Sequence, residues 1–558
     1  MNFTRPGTIL HLARLSAPAL AIATLSCLPA AAHANTACAD VVRLEIPGAT
    51  ISEATAVPAN HSFSYSSGFG PPTRLNSLPA HCVVHGEVNH HKGADGKDYG
   101  DKFELRLPDS WKGRLLFEGG GGLDGVVHPA LGLLGPYTSP LQETALNQGF
   151  AVVSDDGGHQ DPKPMATDGS FGLDPDARAD YNYLSTKRVT DVARQIIARF
   201  YGTTVKHAYF RGCSNGGREG MKTAEMYPDY FDGVIAGAPA FNLTQAAIAE
   251  AWNTQQLASI SPRLPNGMPD LSRSLTEGDL KLLAGAVLEK CDALDGLKDG
   301  MIFNPEACHF DAAALQCGAG KTTGCLPPEK IEVIHKIFEG PHDRSGKPIY
   351  SRWPYNAGVA SEGWRVWMTG TGSMPPINVS IFPSFFNGVA LAGAQPPIDI
   401  FTFDFDKDPA RVDKASEQIN ATSTDWSGFR KHHGKLLLYT GMSDPVFSPL
   451  DLIRYYHQIE QANGSDFARL FLVPGMNHCS GGPGLDDFDA LGAMERWVEN
   501  GQPPDSMLAR GQAFPGRTRP LCAYPRSAKY RGAGSTADAA SFSCEQMRVG
   551  GDSTNHNK

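Results

Sequence analysis

The stretch around residue 214 constrains the fold more than any other. Ala208-Tyr-Phe210 reads as a short strand, Gly212-Cys-Ser-Asn-Gly216 follows it, and Gly217 to Tyr227 reads as a helix stopped by Pro228. A serine in Gly-x-Ser-x-Gly between a strand and a helix is the pattern of a nucleophile elbow, a sharp turn that lifts the hydroxyl above the end of a sheet. Small residues two before and two after Ser214 leave room for such a turn. Glycine and serine share many plain loops, so it is the flanking strand and helix that give the motif its meaning.

A serine hydroxyl at neutral pH needs a base, and the base needs an acid to orient it. Both occur late in the chain. The strand Lys435-Leu-Leu-Leu-Tyr439 runs into Thr440-Gly-Met-Ser-Asp444-Pro445, and the strand Ala468 to Val473 runs into Pro474-Gly-Met-Asn-His478-Cys479. Asp444 and His478 therefore lie on loops after the C-terminal ends of successive strands, where open α/β sheets bind ligands. The order Ser, Asp, His is that of α/β-hydrolases. Taken singly, Asp444 is also a turn residue before proline, and His478 a loop or metal histidine. Cys213 precedes Ser214 and Cys479 follows His478; a bond between them would limit how far the serine and histidine can separate. Tetrahedral oxyanions need N–H donors. The amide of Asn215 is one candidate, and the glycine loop Gly119–Gly122 offers the second, with Gly121 favoured. That loop is otherwise a plain turn; no Gly-Lys-Ser/Thr follows it, which disfavours nucleotide binding.

Strands alternate with helical stretches over residues 35–240, including Arg114–Glu118, Phe150–Ser154 and a helix from Thr186 to Tyr201 with apolar residues at Val189, Val192, Ile196, Ile197 and Phe200. Over 241–428 the pattern becomes helical pieces broken by Pro/Gly loops, with clustered cysteines and the aromatics Trp353, Trp364, Trp367, Phe382, Phe385 and Phe386. Alternation returns at Lys435, with helices expected over 447–463 and 486–499 and a loop-rich tail after 503. The expected architecture is one α/β catalytic domain, 35–240 plus 429–558, carrying 241–428 as an inserted lid.

Residues 1–34 read as a cleaved signal peptide: Arg5 and Arg14, an apolar stretch from Leu15 to Leu28, then Ala32-His33-Ala34. The rival is a lipoprotein site at Cys27, with Thr24 where a leucine is expected. Export to the periplasm or outside the cell follows. The net charge is −10, and no stretch collects Lys and Arg, which argues against a nucleic-acid partner. Beyond the N-terminus no apolar run reaches the roughly 18–20 residues of a membrane span. Of 11 cysteines, ten remain after cleavage, an even number that suggests disulfides in an exported chain. Local spacing suggests Cys291 with Cys308, Cys317 with Cys325, and Cys522 with Cys544. Metal ligation is the rival, but no Cys-x-x-Cys occurs.

Cys291-Asp292-Ala-Leu-Asp295-Gly-Leu-Lys-Asp299-Gly-Met-Ile302 places three carboxylates and two glycines on one short segment. Hard oxygen donors at such spacing suit Ca²⁺, although the spacing is not that of an EF-hand; a solvated acidic turn is the alternative.

The Cys213-Ser214 … Asp444 … His478-Cys479 pattern resembles the tannase/feruloyl esterase family of serine esterases. So do Gly212-Cys-Ser-Asn-Gly-Gly-Arg-Glu219, the block from Tyr227 to Ala240, and Gly475-Met-Asn-His-Cys-Ser-Gly-Gly482. The resemblance implies an α/β-hydrolase fold with a large lid. It implies the disulfides Cys38–Cys82, Cys213–Cys479, Cys291–Cys308, Cys317–Cys325 and Cys522–Cys544. It implies a structural Ca²⁺ held by Asp292, Asp295, Asp299 and the carbonyls of Leu297 and Met301. It also implies hydrolysis of small aromatic acid esters: feruloyl and related hydroxycinnamoyl esters, galloyl esters, or the mono-ester of terephthalate with ethylene glycol. The last needs a lid cation for its free carboxylate. The window Asn378-Val-Ser-Ile-Phe-Pro-Ser-Phe-Phe386 has no arginine, although Arg365 lies upstream. Hydroxycinnamate or gallate esters are therefore favoured, with the terephthalate mono-ester as the alternative.

Overall fold

The computed structural model describes residues 36–65, 73–134, 143–161, 167–318, 320–372 and 374–547. The signal peptide expected over 1–34 lies outside these. The scaffold is a nine-stranded sheet: β1 (Ala49–Val57), β2 (His81–Lys92), β3 (Asp98–Pro108), β4 (Arg114–Glu118), β5 (Phe150–Asp155), β6 (His207–Cys213), β7 (Gly233–Gly237), β8 (Lys435–Gly441) and β9 (Ala468–Val473), in the order β1-β2-β3-β5-β4-β6-β7-β8-β9. Strands β4 to β9 are parallel, and β1, β2 and β3 join antiparallel at one edge.

Helix α1 (Ser185–Tyr201) precedes β6, and α2 (Asn215–Met226) joins β6 to β7. Between β7 and β8, which pair side by side, come the lid helices α3 (Leu243–Ser259), α4 (Glu277–Cys291), α5 (Glu362–Met368) and α6 (Asn378–Ser384). Helix α7 (Pro449–Asn463) joins β8 to β9, and α8 (Ala490–Asn500) follows β9. Alternate strand residues feed two cores. Phe117, Val153, Phe210, Val234 and Leu438 pack against α1, α2 and α7, while Leu116, Val152, Tyr209, Ile235 and Leu437 pack against α8. Burial on both faces explains why these strands are runs of apolar residues instead of alternating ones. A third core runs from α3 through Phe385 and Phe386 to Phe403 and also takes in Leu123, Phe171, Tyr181, Val446 and Phe447 from outside the inserted segment.

All ten described cysteines are bonded, in the pairing that the family resemblance implies, so none is left to ligate a metal as a thiolate. Cys38–Cys82 pins the first described turn to β2, with Cα atoms 5.6 Å apart. Cys291–Cys308 closes the loop after α4 (5.3 Å), and Cys317–Cys325 closes a short loop behind it (5.0 Å). Cys522–Cys544 joins two strands of the tail (5.7 Å). These four bonds brace the frame; the fifth, Cys213–Cys479, lies at the site described below.

Two segments depart from the sequence expectation. Among the described residues 49–65 and 73–108 there is no helix: β1, β2 and β3 form an antiparallel meander, with the β2–β3 connection turning at Gly96, whose φ is +81°. The Asp95-Gly96 pair is a turn signal that hydrophobic periodicity does not register. The tail read as loop contains two hairpins, Ser506–Ala509 with Arg519–Cys522 and Arg526–Tyr530 with Phe542–Gln546. Strands of four and five residues are too short for a period of two to stand out.

Candidate active site

Ser214 sits between β6 and α2 with φ +62° and ψ −125°, a region that costs a non-glycine residue about 1–3 kcal/mol. The turn is held by Ser214 N–H donating to the Gly237 carbonyl (2.9 Å) and by Ala240 N–H donating to the Ser214 carbonyl (2.9 Å). The flanking glycines are there for space. A Cβ on Gly212 would lie 2.4 Å from the Gly216 carbonyl carbon, and one on Gly216 would lie 2.6 Å from the Gly120 oxygen.

Asp444 and His478 come from the loops after β8 and β9. His478 Nδ1 lies 2.9 Å from Asp444 Oδ2, and Asp444 Oδ1 accepts from the amides of Val446 (2.8 Å) and Phe447 (3.1 Å). Asp444 is 1% exposed. Its carboxylate is thus fixed by two amides on one oxygen and faces the imidazole with the other. That leaves His478 Nε2 buried with no hydrogen-bond partner among the described residues. This is the nitrogen that a base in such an arrangement uses. Cys213 and Cys479 are disulfide-bonded with Cα atoms 5.9 Å apart. The bond ties the elbow to the histidine loop across 266 residues of chain.

A narrow cleft of about 30 Å³ lies at Ser214, lined by Gly122, Leu123, Asn215, Trp367, Phe382, Phe385 and Phe447 among others. Trp367 and Phe447 also meet the His478 ring edge-on, with centroids 5.3 and 5.2 Å away. Of the lid aromatics singled out in the sequence, Trp367, Phe382 and Phe385 reach this cleft. Trp353 instead donates its indole N–H to the Asp444 carbonyl (3.1 Å), while Trp364 and Phe386 fill the lid core. Arg365 is ion-paired with Glu277 (3.3 Å) and does not line the cleft. Gly121 lies in the turn beside the cleft, and a Cβ there would meet nothing within 4 Å. The other cysteines singled out in the sequence, Cys38, Cys82, Cys291, Cys308, Cys317, Cys325, Cys522 and Cys544, do not line the cleft.

The family profile described as tannase and feruloyl esterase matches residues 82–545. The chain belongs to that family. It is 40% identical over 518 residues to a mono(2-hydroxyethyl) terephthalate hydrolase of Piscinibacter sakaiensis, covering 84% of this chain and 85% of that one. It is 29% identical over 537 residues to a probable feruloyl esterase of Arthroderma benhamiae, covering 91% and 94%. The solved feruloyl esterase B from Aspergillus oryzae superposes with a TM-score of 0.75 at 26% identity, over 91% of this chain and 99% of that one. Tannin acyl hydrolase from Aspergillus niger shares the fold, with a TM-score of 0.67 at 20% identity over 90% of this chain and 92% of that one. The protein is thus a carboxylic ester hydrolase of the tannase and feruloyl esterase family, with an α/β-hydrolase fold stapled by five disulfides.

Asn356 and Asn477 tie the two late loops to each other and to the segment between β7 and β8. Asn356 Oδ1 accepts from Gly475 N–H (3.1 Å) and from the Ser443 hydroxyl (3.2 Å). Asn477 Nδ2 donates to the carbonyls of Gly358 and Ser443, each at 3.1 Å. Only Asn477 carried a signal, its place beside His478.

Two places bear on a metal. His91, Asp174 and Asp176 each offer a ligand atom, all within 4.8 Å of one another, and form a group that could hold an ion. Sequence reading passed over it because the histidine is far along the chain from the two acids. In the loop after α4, the carboxylates of Asp292, Asp295 and Asp299 turn inward onto backbone amides. Asp292 takes Gly300 N–H (3.0 Å), Asp295 takes Leu297 (3.0 Å) and Phe303 (3.1 Å), and Asp299 takes Met301 (3.3 Å). Arg519 from the tail meets Asp299 at 2.5 Å. Burial, with the charges of Asp299 and Asp292 nearby, pushes Asp295 up to about 7. Among the described residues these three aspartates do not bring their ligand atoms within 4.8 Å of one another as the His91 group does.

Proposed function

We propose that this esterase hydrolyses small esters of aromatic acids through a Ser214-His478-Asp444 triad and an aroyl-enzyme intermediate. The observation that carries the reading is the 2.9 Å His478–Asp444 contact on a loop disulfide-bonded to the serine elbow. His478, oriented by Asp444, takes the Ser214 proton as the hydroxyl attacks the ester carbonyl. The backbone N–H groups of Asn215 and Gly121 stabilise the oxyanion. His478 then protonates the leaving alcohol, and water releases the acid by the same route. Residues 241–428 act as the lid, and Trp367, Phe382 and Phe385 give the planar acyl ring apolar walls and stacking faces. The loop after α4 holds a structural Ca²⁺ through Asp292, Asp295, Asp299 and the carbonyls of Leu297 and Met301, which would neutralise the clustered acids. The N-terminal signal sends the enzyme to the periplasm or out of the cell.

Feruloyl, hydroxycinnamoyl or galloyl esters are favoured, because no arginine or lysine lines the cleft among the described residues to meet a free carboxylate. The 40% identity to a mono(2-hydroxyethyl) terephthalate hydrolase favours that ester as a second reading. A hydrolysis panel at fixed pH separates them: methyl ferulate, methyl gallate, mono(2-hydroxyethyl) terephthalate and a set of peptides. Turnover of a phenolic methyl ester above the terephthalate mono-ester is expected. Cleavage of peptides alone would reject the esterase substrate assignment.

A further inference from the structure

Three hydrogen bonds gather on the side chain of Asn215, whose backbone N–H is the first oxyanion donor in the mechanism proposed above. Arg218 Nε donates to Oδ1 (2.6 Å), which leaves the amide nitrogen facing two acids. Nδ2 donates to Asp124 Oδ1 (2.9 Å) and to Glu219 Oε1 (2.7 Å). Glu219 reaches further, its Oε2 accepting from Gly120 N–H (3.2 Å). Asp124 closes the other end of the same loop, its N–H donating to the Gly121 carbonyl (2.9 Å). The turn that carries the second donor is therefore tied, on both sides of Gly121, to the side chain of the residue that carries the first. Loop and helix also meet backbone to backbone: a Cβ on Gly119 would lie 2.9 Å from Gly216 Cα. The Glu219 side chain lies at this junction and adds a polar tie to the close backbone approach.

We propose that Asp124 and Glu219 are positioning residues for the oxyanion hole, clasping the Asn215 side chain and the Gly120–Asp124 turn so that the Asn215 and Gly121 amides converge on one oxygen. The inference rests on the triad reading above. Charge fits the role. Arg218 directs its other donors to the carbonyls of Tyr181 (2.9 Å), Asn182 (2.9 Å) and Ile419 (3.3 Å). Asp155, at the end of β5, adds repulsion to the pair, and Tyr181 packs nearby. Burial first, then the Glu219 charge, hold Asp124 well above the ordinary carboxyl range. Its Oδ2 is buried without a partner, which a neutral acid tolerates better than an anion. Both buried carboxyl side chains thus meet at the Asn215 amide nitrogen.

The test compares Glu219→Ala, Glu219→Gln, Asp124→Asn, Asn215→Ala and Ser214→Ala on one aryl ester. The companion measurement is inhibition by an aryl boronic acid, which forms an anionic tetrahedral adduct on a serine. Removing a whole oxyanion donor costs about 10²–10³ in kcat, so losing its alignment in Glu219→Ala should cost about 10- to 100-fold. KM should stay within about threefold, and the boronate Ki should rise with the loss of kcat. Glu219→Gln and Asp124→Asn keep acceptors in place and should recover to within about fivefold of the parent. Parental kcat in Glu219→Ala, a loss confined to KM, or an unmoved boronate Ki would overturn the proposal. If Glu219→Ala does not fold, Asn215→Ala keeps the backbone N–H while removing the clasped group, and is read by the same criteria. Turnover surviving in Ser214→Ala would instead remove the triad reading on which the inference stands.

Discussion

At the scale of single residues, the candidate site divides into the groups proposed to act at the ester and the groups that hold them. Asp444→Asn should keep the packing but present an N–H where His478 Nδ1 now meets an acceptor, favouring the wrong imidazole tautomer. A loss of about 10³–10⁴ in kcat with little change in KM is expected from that disruption; steady-state kinetics on a methyl aryl ester measure it. Trp367→Ala removes a cleft wall and a neighbour of the His478 ring. It should raise KM for aromatic acyl groups several-fold more than for acetyl esters. Ser214, Asp444 and His478 were legible in the sequence because each sits in a short motif at a strand end. Asp124 and Glu219 were not: they are far apart in the chain, and only the fold brings both to the Asn215 side chain. Asn356 is hidden for the same reason, since nothing near it in the chain announces the loops it supports.

At the scale of elements, the elbow and the histidine loop are joined by Cys213–Cys479. Replacing both cysteines with alanine should lower stability by about 2–5 kcal/mol. It should also lower kcat further than removing Cys317–Cys325, which lies away from the cleft, as thermal unfolding and kinetics will show. Calcium removal with a chelator, confirmed by metal analysis, should lower the melting temperature more than it changes a freshly measured rate. No shift on confirmed removal would argue against the ion in the loop after α4. Helix α2 carries a pH-dependent cost of its own. Burial pushes Glu225 up to about 7 from its ordinary 4.5, despite Lys222 at 3.9 Å. A folded-state pKa raised above the unfolded one means its favourable contribution is complete below about pH 4.5 and lost as pH rises through about 7. Glu225→Gln keeps an acceptor for Ser423 N–H, which Glu225 now accepts at 2.9 Å. It should match the parent near about pH 4.5 and be more stable than it at about pH 8, by at most about 3 kcal/mol. Equal pH dependence in both proteins would contradict this. The helices α1, α2 and α7 were readable from periodicity or from their neighbouring strands. The β1–β3 meander was not, because its turn signal is two residues long and its long strands are buried in an irregular pattern instead of on alternate residues.

At the scale of the whole molecule, the parallel part of a mixed sheet delivers the three proposed catalytic groups from the ends of β6, β8 and β9, and the segment inserted between two adjacent strands packs over them. That segment does more than cover. Trp353 and Asn356 bond to the acid and histidine loops, so the insertion and those loops are one packed unit. This coupling, like the choice of which aromatics face the cleft, could not be read from a segment recognised only by its broken helices and dense rings. The claim on which the rest depends is that Ser214 carries the acyl group. Rapid-quench mass spectrometry after mixing with a 4-nitrophenyl aryl ester tests it directly. The expected result is an aroyl mass on the peptide containing Ser214, absent in Ser214→Ala and much slower to form in His478→Ala. An aroyl group on another residue, or full turnover by the Ser214→Ala protein, would contradict it.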